Sequence, residues 1–198
     1  MNRRARKKEE TRSNIIDCAV DLFKENGFDK TSMEKIADIA DVSKGTLYNY
    51  FQDKELILIA YFQSSIADYG QEFRIRLKEV HGIQARLNFL LDFIIDHILA
   101  NDLELGTIYL KFRMRTLLDN NPFDNPQRSG LENFVLEIMN EAQENKEIRG
   151  DIPSLVLARN FQFLARSYLI ASLYANEPMD MSTLRNQLID IFLNGVKQ

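Results

Sequence analysis

The residues with the clearest chemical purpose lie between Lys44 and Tyr50. Lys44 offers a cation suited to a phosphate, Gly45 a point where backbone can come close to a ligand, and Thr46 a short hydroxyl and methyl for base edges. Tyr48 and Tyr50 add hydroxyls able to reach phosphate oxygens, and Asn49 an amide on the same outward side. This is the set of groups a helix needs in order to lie in a DNA major groove. Catalytic chemistry has far less to work with. His81 and His97 are the only histidines and stand on different segments, without the Cys, Asp or Glu spacing of a metal site. There is no glycine-rich phosphate loop, no nucleophile elbow and no HExxH pair, so the chain is read as a non-enzyme with neither cofactor nor metal.

The elements that must position Lys44 to Tyr50 are two short helices meeting across a tight turn. Thr31 is the expected N-cap of the first and a further expected DNA contact, with Glu34 completing a capping box, and Met33, Ile36, Ala37 and Ala40 form its apolar stripe. Ser43 is the cap of the second, which buries Leu47 together with Tyr50 or Phe51. Ahead of them, Ile15, Ile16, Ala19, Leu22 and Phe23 repeat with a helical period from about residue 10 until Gly27 stops the helix. Asp53 caps a long helix to about Val80, and Lys54 in its first turn joins the free N–H groups there in a site for a phosphate. Starting at the head and ending in the rest of the chain, that helix is the natural transmitter.

Beyond Gly82 helices follow to about residue 100, from 103 or 105 to 118, from 126 to 146, from 153 to 175 and from 181 to 196. The prolines at 122, 126, 153 and 178 fall in or beside the gaps. No stretch alternates like a strand, so the fold is all-α: a three-helix helix-turn-helix head, residues 1–54, joined by a long helix to a larger helical domain, residues 55–198. The last two helices are apolar around more of their circumference than one core face needs. Phe161, Leu164 and Tyr168 on one, with Leu184, Leu188, Ile191 and Phe192 on the other, are expected to pair with a second copy in a four-helix bundle.

The 198 residues carry a net charge of −4. Residues 1–54 hold 11 basic and 10 acidic side chains against 14 and 19 in the remainder. The sharpest bias is at the start, where Arg3, Arg4, Arg6, Lys7, Lys8 and Arg12 face only Glu9 and Glu10, a basic arm for phosphates or a solubilising tail. The single cysteine, Cys18, permits no intrachain disulfide and reads as a buried small hydrophobe. With no apolar run of membrane-spanning length and no h-region, a cytoplasmic location is expected.

From Thr11 to Leu56 the order of these signals, Gly27-Phe28, Thr31-Ser32-Met33, Ile36-Ala37, Val42 through Tyr48, Tyr50-Phe51 and Lys54-Glu55-Leu56, resembles the DNA-binding domain of the TetR family of bacterial transcriptional regulators. The resemblance implies a homodimer on a palindromic operator, with half-sites about 34–36 Å or a multiple apart, and a C-terminal domain that binds a small-molecule effector and dimerises. A repressor released by its effector is the leading expectation; a dimeric DNA-associated scaffold without an effector is the alternative. Pocket candidates are Phe93, His97, Tyr109, Phe112, Arg113, Phe134, Gln162 and Arg166, the polar ones able to orient an anionic group. One departure stands in the turn, where Asp41 replaces the family's usual glycine; a positive φ is expected there, and Asp tolerates it.

Overall fold

The computed structural model describes residues 2–96, 103–119, 130–174 and 180–196. Among the described residues there are nine helices and no strand: α1 Arg3–Asn26, α2 Met33–Ile39, α3 Lys44–Tyr50, α4 Lys54–Leu77, α5 Ile83–Ile94, α6 Leu103–Asp119, α7 Leu131–Glu144, α8 Ser154–Tyr174 and α9 Met181–Val196. None is long and apolar enough to cross a membrane. The chain divides into two compact units, Met1–Ser65 and Ile66–Gln198, with α4 continuous through the division.

In the first unit, Ile15, Ile16, Ala19, Leu22 and Phe23 of α1 are buried with Ile36 and Ala37 of α2, Leu47 of α3 and Phe51. The Phe23 and Phe28 rings pack at 4.8 Å, and Gly27 ends α1 at φ 85°. Contrary to the expected start near residue 10, α1 is helical from Arg3, where Asn2 caps it by accepting the Arg4 N–H at 3.3 Å. Cys18 is half-buried rather than enclosed. Burial, then the nearby Asp21 and Asp17, pushes its thiol pKa up, which keeps it protonated and unreactive.

The second unit is built around an aromatic cluster. Phe73 of α4 packs against Phe134 of α7 at 4.5 Å, Phe93 of α5 at 4.7 Å and Phe89 at 5.3 Å. Gly70 permits this, because a Cβ there would stand 3.1 Å from Phe134 Cζ. Arg86 is buried and ties α5 to α7, donating to Val80 O and to Glu141 at 2.8 Å each. Arg185 of α9 pairs with Asp92 of α5. The expected breaks at Gly82 and 149–153 lie between helices, whereas the expected loop at 119–126 falls almost wholly outside the described residues.

Candidate DNA-reading surface and effector cavity

Helix α3 is held by few groups. Ser43 caps it as expected, accepting the Thr46 N–H at 3.1 Å and pairing with the Thr46 hydroxyl at 2.8 Å. Leu47 is its only fully buried residue, followed by Phe51 at the C-cap. Lys44, Gly45, Tyr48 and Asn49 are exposed, Tyr48 by 47 %, while Thr46 and Tyr50 are half-buried. Lys44 forms an exposed ion pair with Glu34 at 3.8 Å, a weak contact that a phosphate displaces at little cost. The turn before α3 carries Asp41 at φ 52°, the left-handed conformation expected there, with Val42 N–H donating to Ala37 O at 3.0 Å.

Two expected contact residues have other work. Thr31 is 2 % exposed and is not the cap of α2; its hydroxyl points inward to Gly27 O at 2.9 Å and Leu22 O at 3.2 Å. The cap is Ser32, which accepts the Lys35 N–H at 3.2 Å. A cap one residue later moves Glu34 out of the capping-box position. Lys54 also turns inward. Its ammonium donates to Phe28 O at 2.7 Å, Asp29 O at 3.2 Å and Thr31 O at 3.2 Å, and lies 4.5 Å from the centre of the Phe28 ring. An ammonium has three donors, so none is left for a phosphate. Lys54 fastens the start of α4 to the loop between α1 and α2.

In the second unit a cavity of about 80 Å³ lies among α5, α6, α7 and α8. Its walls are mainly apolar, from Leu90, Leu91, Val135, Phe161 and Leu169 among others, and its polar groups are Tyr109, Arg113, Glu132, Gln162 and Arg166. Glu132 Oε1 accepts from Arg113 Nη2 at 3.2 Å and from Arg166 Nη2 at 3.3 Å, so two guanidiniums share one carboxylate oxygen. Burial pushes the Arg166 pKa down, with Glu132 pulling it back up and Arg113 adding to the fall. Four of the expected pocket residues, Tyr109, Arg113, Gln162 and Arg166, line this cavity. Phe93 and Phe134 do not, being committed to the aromatic cluster on Phe73. Phe112 stands outside the lining with the Arg115 guanidinium 5.0 Å from its ring centre, and His97 lies outside the described residues. Glu132 was not among the expected residues, yet it shares the helix face of Val135, Met139 and Ala142, the buried side of α7.

The expected dimer residues divide in the same way. Phe161, Tyr168, Leu188 and Phe192 are buried within the protomer, where the Phe161 and Phe192 rings meet at 5.2 Å. They hold α8 to α9 and are spent inside the chain. Ile191, 66 % exposed, and the half-buried Leu164 and Leu184 remain available, joined by Phe163, 48 % exposed, and by Leu155 and Val156.

Residues 15–61 match the family profile of bacterial regulatory proteins of the tetR family. Across 190 residues, 92 % of this chain and 93 % of the relative, the sequence is 28 % identical to the fatty acid metabolism regulator protein of Bacillus subtilis. It is 27 % identical to the Escherichia coli transcriptional regulator UidR over 160 residues, 75 % of this chain and 74 % of the relative. The fold is similar to that of Thermus thermophilus FadR, a TetR-family transcriptional repressor solved with lauroyl-CoA, at a TM-score of 0.73 and 21 % identity over 93 % of this chain and 94 % of that one. Bacillus subtilis FadR with stearoyl-CoA gives 0.62 and 22 %, over 92 % and 98 %. A capped helix α3 on a three-helix head and the family profile over residues 15–61 identify that segment as a DNA-binding domain of the TetR family of bacterial regulatory proteins, in a chain similar along most of its length to bacterial transcriptional regulators.

Proposed function

We propose that the protein is a repressor whose effector is an amphipathic anion of the fatty acyl-CoA class. The observation that carries this reading is the Arg113–Glu132–Arg166 cluster at one side of an otherwise apolar cavity. Two guanidiniums converge there on one carboxylate oxygen, a place where an anionic or strongly polar ligand group meets cations while an acyl chain occupies the apolar walls. The likeness to regulators solved with lauroyl-CoA and stearoyl-CoA supports the same class.

The cavity's size gives the response its direction. At about 80 Å³ it is far smaller than the roughly 300–1,000 Å³ of ordinary ligand clefts. An acyl chain enters only as α5, α6 and α8 part, so the ligand binds a widened conformation in preference to this one and shifts the population toward it. In this reading residues 1–54 form the DNA-binding domain and 55–198 the effector-binding and dimerisation domain. The protein works in the cytoplasm as a homodimer on a palindrome. Lys44, Gly45, Thr46, Tyr48, Asn49 and Tyr50 face DNA, and Phe163, Leu164, Leu184 and Ile191 face the partner subunit.

The test is selection from random DNA duplexes at near-physiological salt, followed by titration of the best duplex with lauroyl-CoA. An enriched palindrome whose affinity falls at least tenfold with lauroyl-CoA is the expected result. Absence of any enriched palindrome overturns operator recognition, and an affinity indifferent to acyl-CoAs of every chain length overturns the effector class.

A further inference from the structure

We propose that the first two turns of α1 form a second DNA-contacting surface, a basic helical arm that lies along the phosphates flanking the half-site read by α3. The inference rests on the head being DNA-binding and goes beyond it, since it concerns residues outside the helix-turn-helix.

The arm is helical from Arg3, and residues 2–10 are all exposed. At 100° per residue, Arg3, Lys7, Arg4 and Lys8 fall within one face about 140° wide, with Arg6 and Glu9 on the other side and Glu10 at the edge of the face beside Arg3. Both acids are engaged within the helix: Glu10 pairs with Arg6 at 3.3 Å and Glu9 with Arg12 at 3.7 Å. Among the described residues no ion pair is formed by Arg3, Arg4, Lys7 or Lys8. The first turn of α1 holds no acidic residue. Cations at this end oppose the helix dipole, so their placement works against the stability of α1 and calls for another reason. A phosphate supplies one, because it attracts both the side chains and the positive end of the dipole.

The fold puts the arm beside the reading surface. Asn14 Nδ2 donates to Ala40 O, in the turn before α3, at 2.9 Å, and the Arg12 guanidinium lies 5.5 Å from the ring centre of Phe51, the C-cap of α3. From Arg12 back to Arg3 the helix runs on for about 14 Å, and Asn14, whose amide meets that turn, lies on the same face of α1 as the four cations. Charge complementarity and this continuity commit the face to one occupant, the duplex backbone.

Full-length protein and two quadruple variants are compared: R3A/R4A/K7A/K8A, which removes the charge but keeps good helix formers, and R3K/R4K/K7R/K8R, which keeps the charge. Each is titrated from 50 to 200 mM salt against two duplexes, one trimmed at the operator edge and one extended by about one helical turn on each side. Circular dichroism confirms that the variants keep their helical content. On the extended duplex the alanine variant is expected to lose at least about tenfold in affinity at 50 mM salt. Its slope of log affinity against log salt should fall by at least about 2, one phosphate per arm of the dimer at about 0.9 each. The charge-keeping variant should match the wild type, and trimming should abolish the difference between the wild type and the alanine variant. If the wild type binds DNA but the alanine variant shows the same slope and affinity on both duplexes, the arm proposal fails while operator reading by α3 stands. If the wild type itself shows no salt-dependent binding to either duplex, both fall.

Discussion

Replacing Glu132 and replacing Arg166 should have opposite consequences, although the two residues belong to one cluster. Glu132→Gln keeps the shape but removes the charge that holds two guanidiniums at 3.2 and 3.3 Å. Each bond between opposite charges becomes one from a guanidinium to a neutral amide oxygen, a loss of about 1 kcal/mol apiece. The repulsion between Arg113 and Arg166 is then no longer offset. Breaking a buried ion pair by deleting one partner costs about 3–5 kcal/mol; with these side chains 8–19 % exposed, the lower end applies, about 3 kcal/mol. At about 2–4 °C per kcal/mol for a chain of this size, Tm falls by about 6–12 °C. Arg166→Met instead removes the cation that burial already disfavours and leaves the Arg113–Glu132 pair intact. Its stability should stay within about 1 kcal/mol of wild type, while its DNA release by lauroyl-CoA weakens. Urea denaturation and thermal melts of the two variants check the asymmetry. Equal destabilisation by both would refute the view that Glu132 is the shared counter-ion and Arg166 the cation held for a ligand.

Lys44→Ala should lower the salt slope of operator binding by about 2 for the dimer, and Tyr48→Ala should weaken dimer binding about a hundredfold, one charged hydrogen bond of about 1.4 kcal/mol per head, both measured by fluorescence titration with melting unchanged. Lys54→Met should destabilise the head by about 3 kcal/mol through the loss of three carbonyl contacts; normal stability with reduced DNA affinity would return Lys54 to a phosphate-binding role. Asp41→Gly should stabilise the head by about 1 kcal/mol, because glycine adopts φ 52° without steric cost. Glu141 is held below the ordinary carboxylate pKa by its hydrogen bond from Arg86, and Asp180 is held at about 2 by Thr183 and Ser182. Groups depressed in the folded state stabilise above their unfolded pKa, about 4, and lose that contribution as pH drops through the folded value. Urea stability should therefore be flat from about pH 7 to 5 and decline from there toward pH 2, with a shallower decline in Glu141→Gln.

What could be read from sequence was local. Ser43 as a cap and Leu47 as an anchor follow from neighbours within four residues, while Asp41 in a left-handed turn follows from the family resemblance, and the structure has all three as expected. Lys54 was misjudged because the carbonyls it satisfies lie more than twenty residues earlier, where no periodicity reports them. Thr31 was misjudged by one residue, since Thr31 and Ser32 are both good caps and only the packing of Leu22 and Gly27 decides which turns inward. On α8 the apolar residues run around most of the helix without telling which side the protomer itself buries, so Phe161, expected to face a partner, lies buried within the protomer. Glu132 carried a signal, an acid on a buried stripe, that was legible only with its two arginines in view.

The thin attachment of α3 has an evolutionary consequence. With Leu47 as the one fully buried residue of the helix, the four exposed positions, Lys44, Gly45, Tyr48 and Asn49, carry almost none of the folding free energy. Surface substitutions of this kind shift stability by no more than about 0.5 kcal/mol. A duplicated copy can therefore drift through many reading surfaces while its scaffold stays folded. New operator preferences are reached through soluble intermediates, and the lineage can diversify its target genes without first acquiring compensating mutations in the core.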